Sequence, residues 1–311
     1  MFINYPHGKR GVPLRHFVPN LITTISLCCG LASIHFSLKP DWDRAILAVL
    51  LAAVFDALDG RAARLLKASS PFGAVLDSLA DFLSFGVAPA ILLHQWILKE
   101  QDIFGLAAVM TFALCSALRL ARFTAAVKPA RPAGAPAPSA EEARVHAVMA
   151  SFFVGMPTPA AAAAVLVPPM LMYSKVVGEA VRRFFGVAEP VVGPGRMVID
   201  QPAQPTSSLI AWTVIVYTFL IAYMMISRLP MYSFKKVRIS KRAVVPLLVT
   251  AGLLVGMAVK DTWLTVSALS LAYLLSLPLS ILSQRAQLRR PAPALAGAEN
   301  DDGQGLRLRK A

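Results

Sequence analysis

FDALDGRAARLLKASSPFGAVLDSLADF, residues 55–82, is the stretch on which the reading of this chain turns. Its surroundings are apolar enough for two membrane helices, yet those helices carry six charged side chains: Asp56, Asp59, Arg61, Arg64, Asp77 and Asp81. A charge at membrane depth costs roughly 2.5–3.5 kcal/mol on insertion scales, so each of the six is a functional candidate. On a helix, Asp56, Asp59, Gly60, Ala63 and Arg64 fall at i, i+3, i+4, i+7 and i+8, which is one face. Asp77 and Asp81 are one turn apart on the next helix. The short KASSP connection, residues 67–71, makes the two helices antiparallel neighbours, so the four carboxylates converge at one depth.

Four carboxylates in a low-dielectric pocket need cations to neutralise them. Hard oxygen ligands select Mg²⁺, Mn²⁺ or Ca²⁺ over zinc or copper. Two such ions bridged by carboxylates suit displacement at phosphorus, because they neutralise the charge that develops there. Gly60 and Ala63 present almost no side chain, and neither does Gly73 on the facing helix, so a bulky ligand can approach both backbones. Arg64 can then pair with a phosphate. These features describe a nucleotide-diphosphate site at the cytoplasmic membrane boundary. Taken alone, the carboxylates also suit a proton- or cation-coupled carrier.

The rest of the chain fits that setting. Of 311 residues, 56% are apolar and only 15% are charged, against about 25% in soluble domains, and the mean hydropathy is +0.60. Spans are expected at 20–38, 45–66, 72–98, 103–127, 147–174, 208–228, 243–260 and 262–283, the last two as a tight hairpin. Residues 1–19 read as a basic interfacial segment, 128–144 as a Pro/Ala connector and 285–311 as a disordered tail. The first apolar run lacks a small-residue cleavage site and is expected to be retained. The net charge of +14 comes without any nucleic-acid motif. Lys and Arg instead flank the spans, where they meet anionic lipid headgroups. Cytoplasmic termini with eight spans put nineteen basic residues inside and eight outside, which supports that orientation. Cys28, Cys29 and Cys115 lie within apolar runs and read as small buried hydrophobes. The five histidines are scattered and read as incidental.

Asp56-x₂-Asp59-Gly60-x₂-Ala63-Arg64-x₈-Gly73-x₃-Asp77-x₃-Asp81 resembles, at every fixed position, the signature of the CDP-alcohol phosphotransferase family. The resemblance implies an all-α membrane protein, a polytopic helical bundle with a six-helix core at 20–230, most often as a homodimer. The pair of spans at 231–284 would then be an addition. It implies that Asp56, Asp59, Asp77 and Asp81 hold two divalent cations, Mg²⁺ or Mn²⁺. It also implies that Gly60, Ala63, Arg64 and Gly73 cradle the CDP part of a lipid, and that Asp81 is the general base.

Three further stretches, RHFVPNLITTISLCCGLASI (15–34), ALRLARFTAA (117–126) and FVGMPTPAAA (153–162), resemble the bacterial phosphatidylserine synthases within that family. Thr124 stands where an Asn is common in that group. This second resemblance implies CDP-diacylglycerol as donor and serine as acceptor, with glycerol phosphate, inositol phosphate or choline as the alternatives. Arg119 and Arg122 share a face near the cytoplasmic end of the fourth span. They are expected to meet the acceptor carboxylate or a lipid phosphate, or else to snorkel to the interface. Pro157 and Pro159 are expected to kink the fifth span.

Overall fold

The computed structural model describes residues 14–68, 70–125, 152–184, 208–227, 230–232 and 244–277. The basic N-terminal segment up to residue 13, the 128–144 connector, residues 185–207 and the tail from 285 lie outside the described residues.

Helix α1 (Leu14–Leu38) runs antiparallel to α2 (Trp42–Leu65). A small and polar seam lets these two helices and the next approach closely. Ser26 Oγ donates to the Ala52 carbonyl at 2.9 Å, and Ser84 Oγ donates to the Ser26 carbonyl at 3.2 Å. At Gly30 a Cβ would collide with Ser84. Such seams are how membrane helices associate when no water is expelled between them.

The turn after α2 is closed by backbone chemistry. Ala68 N–H donates to Ala63 O and Lys67 N–H to Arg64 O, the Schellman pair, with Lys67 itself in the left-handed region at φ 49°. Ser70 then caps α3 (Pro71–Asp81): its Oγ accepts from Gly73 N–H at 3.0 Å, and Pro71 opens the first turn. The helix continues through a π turn (Phe82–Val87), α4 (Ala88–Leu93) and a second π turn (His94–Leu98). A short 3₁₀ turn, Lys99–Gln101, leads to α5 (Asp102–Ala125). Gly105 makes that return possible, because a Cβ there would collide with the Leu98 carbonyl. Phe17–Leu38, Pro71–Arg122 and Ser208–Ile226 are long and apolar enough to cross a membrane.

The expected fifth span is not one continuous helix. It enters as strand β1 (Phe152–Val154), paired antiparallel with β2 (Pro230–Tyr232) in the register Phe153↔Met231. Gly155 then turns the chain at φ 77°, where a Cβ would lie 2.7 Å from the Met225 carbonyl. Two short helices follow, α6 (Thr158–Val165) and α7 (Val167–Tyr173), broken at Leu166. Pro168 has no N–H to give the carbonyl of Ala164. Tyr217 Oη donates to that carbonyl at 2.9 Å instead, from the neighbouring helix Ser208–Ile226. The break is therefore at Leu166, about two turns beyond the expected kink at Pro157 and Pro159, which open α6.

Helices α8 (Gly178–Phe184) and α9 (Ser208–Ile226) complete the main bundle. Phe85, Leu92, Leu93, Phe112, Met170 and Ile221 are fully buried between α3–α4, α5, α7 and α9. The C-terminal hairpin is α10 (Val244–Lys260) and α11 (Thr262–Leu275). Its tip is pinned to the bundle by Asp261, which is 4% exposed. That carboxylate accepts from Ser174 Oγ at 2.6 Å, Val176 N–H at 3.1 Å and Leu264 N–H at 3.0 Å. Burial alone would raise its pKa, but these donors hold it below the usual carboxylate range. Two three-residue strands and the connecting turns aside, the described residues are helical, as an all-α membrane bundle requires.

Candidate metal and CDP-lipid site

The turn between α2 and α3 sets the carboxylates face to face. Oxygens of Asp56, Asp59 and Asp77 all lie within 4.8 Å of one another, a spacing that a shared cation can bridge. Asp81, one turn deeper on α3, is within hydrogen-bond reach of Asp56 and so adjoins the triad rather than standing in it. The π turn begins at the next residue, Phe82, and widens the helix immediately beyond the site. Asp59 is the least exposed of the four, at 4%. Its Oδ2 accepts from Thr23 Oγ1 at 2.6 Å, which fixes its carboxylate plane from α1. An all-carboxylate donor set of this density fits a hard divalent cation, which Asp56, Asp59 and Asp77 could hold.

Beside the triad lies a cleft of about 170 Å³ lined by Pro19, Asn20, Thr23, Asp59, Gly60, Ala63, Ser70, Gly73 and Asp77, among others. Three of the four residues expected to cradle CDP line it. At Gly60 a Cβ would meet nothing within 4 Å, so the space in front of the backbone is open to a ligand. Gly73 is different: a Cβ there would sit 2.9 Å from Asn20 Oδ1 and 3.1 Å from Ser70 Oγ. Its small size therefore lets α1 close against α3. Arg64, the fourth, is exposed on the rim, its Nε donating to the Gly60 carbonyl at 2.8 Å.

The two arginines of α5 go to different places. Arg119 is half-buried, and its Nη1 donates to Thr158 Oγ1 at 2.6 Å, at the start of α6. Asp81 is among the charges that act on it. Arg122 is exposed, and its Nη1 donates to the Ile226 carbonyl at 3.2 Å, at the C-terminus of α9. There a cation complements the helix dipole.

Residues 16–189 match the family described as CDP-alcohol phosphatidyltransferase. The chain belongs to this family. Residues 242–278, which contain the α10–α11 hairpin, match a second description, CDP-alcohol phosphatidyltransferase 2. Among curated relatives, a CDP-diacylglycerol–serine O-phosphatidyltransferase of Mycobacterium tuberculosis is 29% identical over 289 residues, which is 93% of this chain and 86% of the relative. A protein of the same name from Mycobacterium leprae is 40% identical over 161 residues, 52% of this chain and 49% of the relative. Another from Helicobacter pylori is 28% identical over 211 residues, 67% of this chain and 80% of the relative.

The cleft brings in polar residues to which the sequence pattern assigned no role. Asn20, Thr23 and Ser70 carry no expected role, yet Asn20 and Ser70 line the cleft wall and Thr23 orients Asp59. The signal was present: Asn20 and Thr23 are polar residues at i, i+3 on one face of α1, among other polar residues of that helix such as Thr24, Ser26, Ser33 and Ser37. The openness at Gly60 carries a direct prediction. Gly60→Leu should fold at least as well as the parent, since leucine is the better helix former by roughly 0.8 kcal/mol. Its side chain would fill the cleft, so the KM for the CDP-lipid should rise by about tenfold or more. Unchanged KM by steady-state kinetics would remove Gly60 from the binding site.

Proposed function

We propose that this chain transfers the phosphatidyl group of CDP-diacylglycerol to the hydroxyl of L-serine, giving phosphatidylserine and CMP. The observation that carries the reading is the Asp56–Asp59–Asp77 triad, with Asp81 beside it and an open cleft at Gly60. The choice of serine is supported by the names of the relatives and by the three subgroup stretches around 15–34, 117–126 and 153–162.

On this reading the acyl chains of the donor lie in the bilayer and its CDP part occupies the cleft. Gly60, Ala63 and Gly73 let the diphosphate approach the α2 and α3 backbones, and Arg64 on the rim pairs with a phosphate. Asp56, Asp59, Asp77 and Asp81 hold two divalent cations, Mg²⁺ or Mn²⁺, which when bound neutralise charge developing at phosphorus and favour the deprotonated hydroxyl. Asp81 takes the proton from the serine hydroxyl, whose oxygen attacks the phosphorus bearing the diacylglycerol ester. The bond from that phosphorus to the bridging diphosphate oxygen breaks, and CMP leaves with the electron pair. Arg119 and Arg122 belong to the acceptor side, Arg119 beside Asp81 and Arg122 at the membrane boundary.

The basic-residue bias supports an inner-membrane protein with both termini and the cleft facing the cytoplasm. An impermeant thiol reagent that labels a cysteine placed at Ser139 in intact cells would reverse that orientation. The family resemblance extends the reading to a homodimer, which a monomeric mass by light scattering in detergent would remove. The test of the function itself is an acceptor screen with purified protein and CDP-diacylglycerol. Serine is expected to drive CMP release and to yield phosphatidylserine. Release with glycerol phosphate, inositol phosphate or choline but not with serine would replace the acceptor while keeping the chemistry.

A further inference from the structure

Helix α1 contains no acidic residue, yet one of its side chains reaches into the aspartate cluster. Thr23, Ser26, Gly30, Ser33 and Ser37 recur every three or four residues along α1, and all five are buried. They form the face that α1 turns to the rest of the bundle. Ser26 meets the Ala52 carbonyl of α2, and Gly30 lies against Ser84. Along this seam, small side chains meet backbone or other small side chains. Thr23 departs from that pattern, because its hydroxyl meets a carboxylate.

The hydroxyl has one proton and two acceptors in reach. The Pro19 carbonyl, one turn back in α1, lies at 3.1 Å, and Asp59 Oδ2 lies at 2.6 Å. The shorter contact falls in the roughly 2.5–2.7 Å range of an O–H···O⁻ bond, so the proton belongs to Asp59. Contact with the i−4 carbonyl marks one of the two χ1 rotamers open to a helical threonine. That rotamer aims the hydroxyl at Asp59, and the seam holds α1 still behind it. The terminal torsion of an aspartate is soft, so the plane of the Asp59 carboxylate is set by the bonds it accepts. Its oxygen stands within 4.8 Å of oxygens of Asp56 and Asp77, where that plane matters to a shared ion.

We propose that Thr23 is a positioning residue that sets the cation affinity of the Asp56–Asp59–Asp77 triad, by holding the Asp59 carboxylate in its ligating orientation from α1. Removing an outer partner of this kind costs roughly 10–100-fold in metal affinity, because the ligand is then no longer ordered in advance. Helix α1 is thereby part of the cation centre, although it supplies no ligand. Thr23 also lines the CDP-lipid cleft beside Pro19 and Asn20, so one turn of α1 serves both donor and cation. This role rests on the cation reading of the triad and is independent of which alcohol accepts the phosphatidyl group.

The test is thermal unfolding of the purified full-length protein in detergent across a Mn²⁺ titration, which yields an apparent Kd from the rise in Tm. Thr23→Val keeps the branched shape and removes the hydroxyl. Its apparent Kd should rise by about 10–100-fold, whereas Thr23→Ser, which retains the donor, should stay within about threefold of the parent. Ser26→Ala controls for loosened packing, since Ser26 bonds backbone and no carboxylate. It should lower the metal-free Tm and leave the apparent Kd where it was. Mn²⁺-dependent CMP release gives a second readout. For Thr23→Val the half-saturating Mn²⁺ concentration should shift by the same factor, while the rate at saturation approaches that of the parent. Should the valine variant not fold, Thr23→Ala gives the same comparison. A Thr23→Val Kd equal to the parent's overturns the proposal. So does a Ser26→Ala Kd that rises as far, or a serine variant that binds as weakly as the valine one. A parent whose Tm does not respond to Mn²⁺ fails the cation reading itself, and the role of Thr23 falls with it.

Discussion

Asp77→Ala is expected to leave a folded protein whose CMP release falls by on the order of 10³-fold, the scale of losing a preorganised electrostatic partner of the transition state. The reason is the crowding of the triad. Three carboxylates with oxygens inside 4.8 Å repel one another unless cations lie between them. Removing one relieves that repulsion, so the metal-free variant should be no less stable than the metal-free parent. It should, however, lose the added stability that binding confers, which follows RT ln(1 + [L]/Kd). Thermal unfolding in detergent, with and without Mg²⁺ or Mn²⁺, separates the two effects. A rise in Tm on adding metal is expected for the parent and not for Asp77→Ala. A variant that keeps both the metal-induced shift and near-parental turnover would contradict the metal assignment.

Asp81→Asn has a different signature, because Asp81 adjoins the triad without being part of it. Asparagine keeps the shape and one ligating oxygen but cannot accept the hydroxyl proton. The expected fall in kcat is about 10²–10⁴-fold, the range for loss of a general base. The KM for CDP-diacylglycerol should change little, and the metal-induced rise in Tm should persist. Loss of the metal shift together with loss of turnover would make Asp81 a ligand only, and the proton acceptor would have to be sought elsewhere.

Much of this was legible from residues 55–82, because charge inside an apolar helix is so costly that its presence identifies a site. Helical spacing was enough to put Asp56 and Asp59 on one face, and a five-residue connection was enough to oppose them to Asp77. The span limits were legible for the same reason, and α2, α3, α5 and α9 begin within three residues of their expected starts. What local patterns could not convey was anything that depends on a partner far away in sequence. The break after Val165 is one example. Pro168 signals a missing donor, but only the fold shows Tyr217 replacing it. The role of Thr23 is another, since its value lies in reaching Asp59, thirty-six positions further on. Arg119 and Arg122 look equivalent by spacing, yet Thr158 takes one and the end of α9 takes the other.

The central claim is that the four aspartates form a cation-dependent centre for phosphatidyl transfer. The measurement that bears on it most directly is serine-dependent CMP release from CDP-diacylglycerol by the purified enzyme, first after exhaustive chelation and then with Mg²⁺ or Mn²⁺ restored. Release is expected to stop on chelation and to return with either ion. No return is expected in Asp77→Ala at the same ion concentrations. Undiminished release after chelation, or recovery in Asp77→Ala equal to that of the parent, would contradict it.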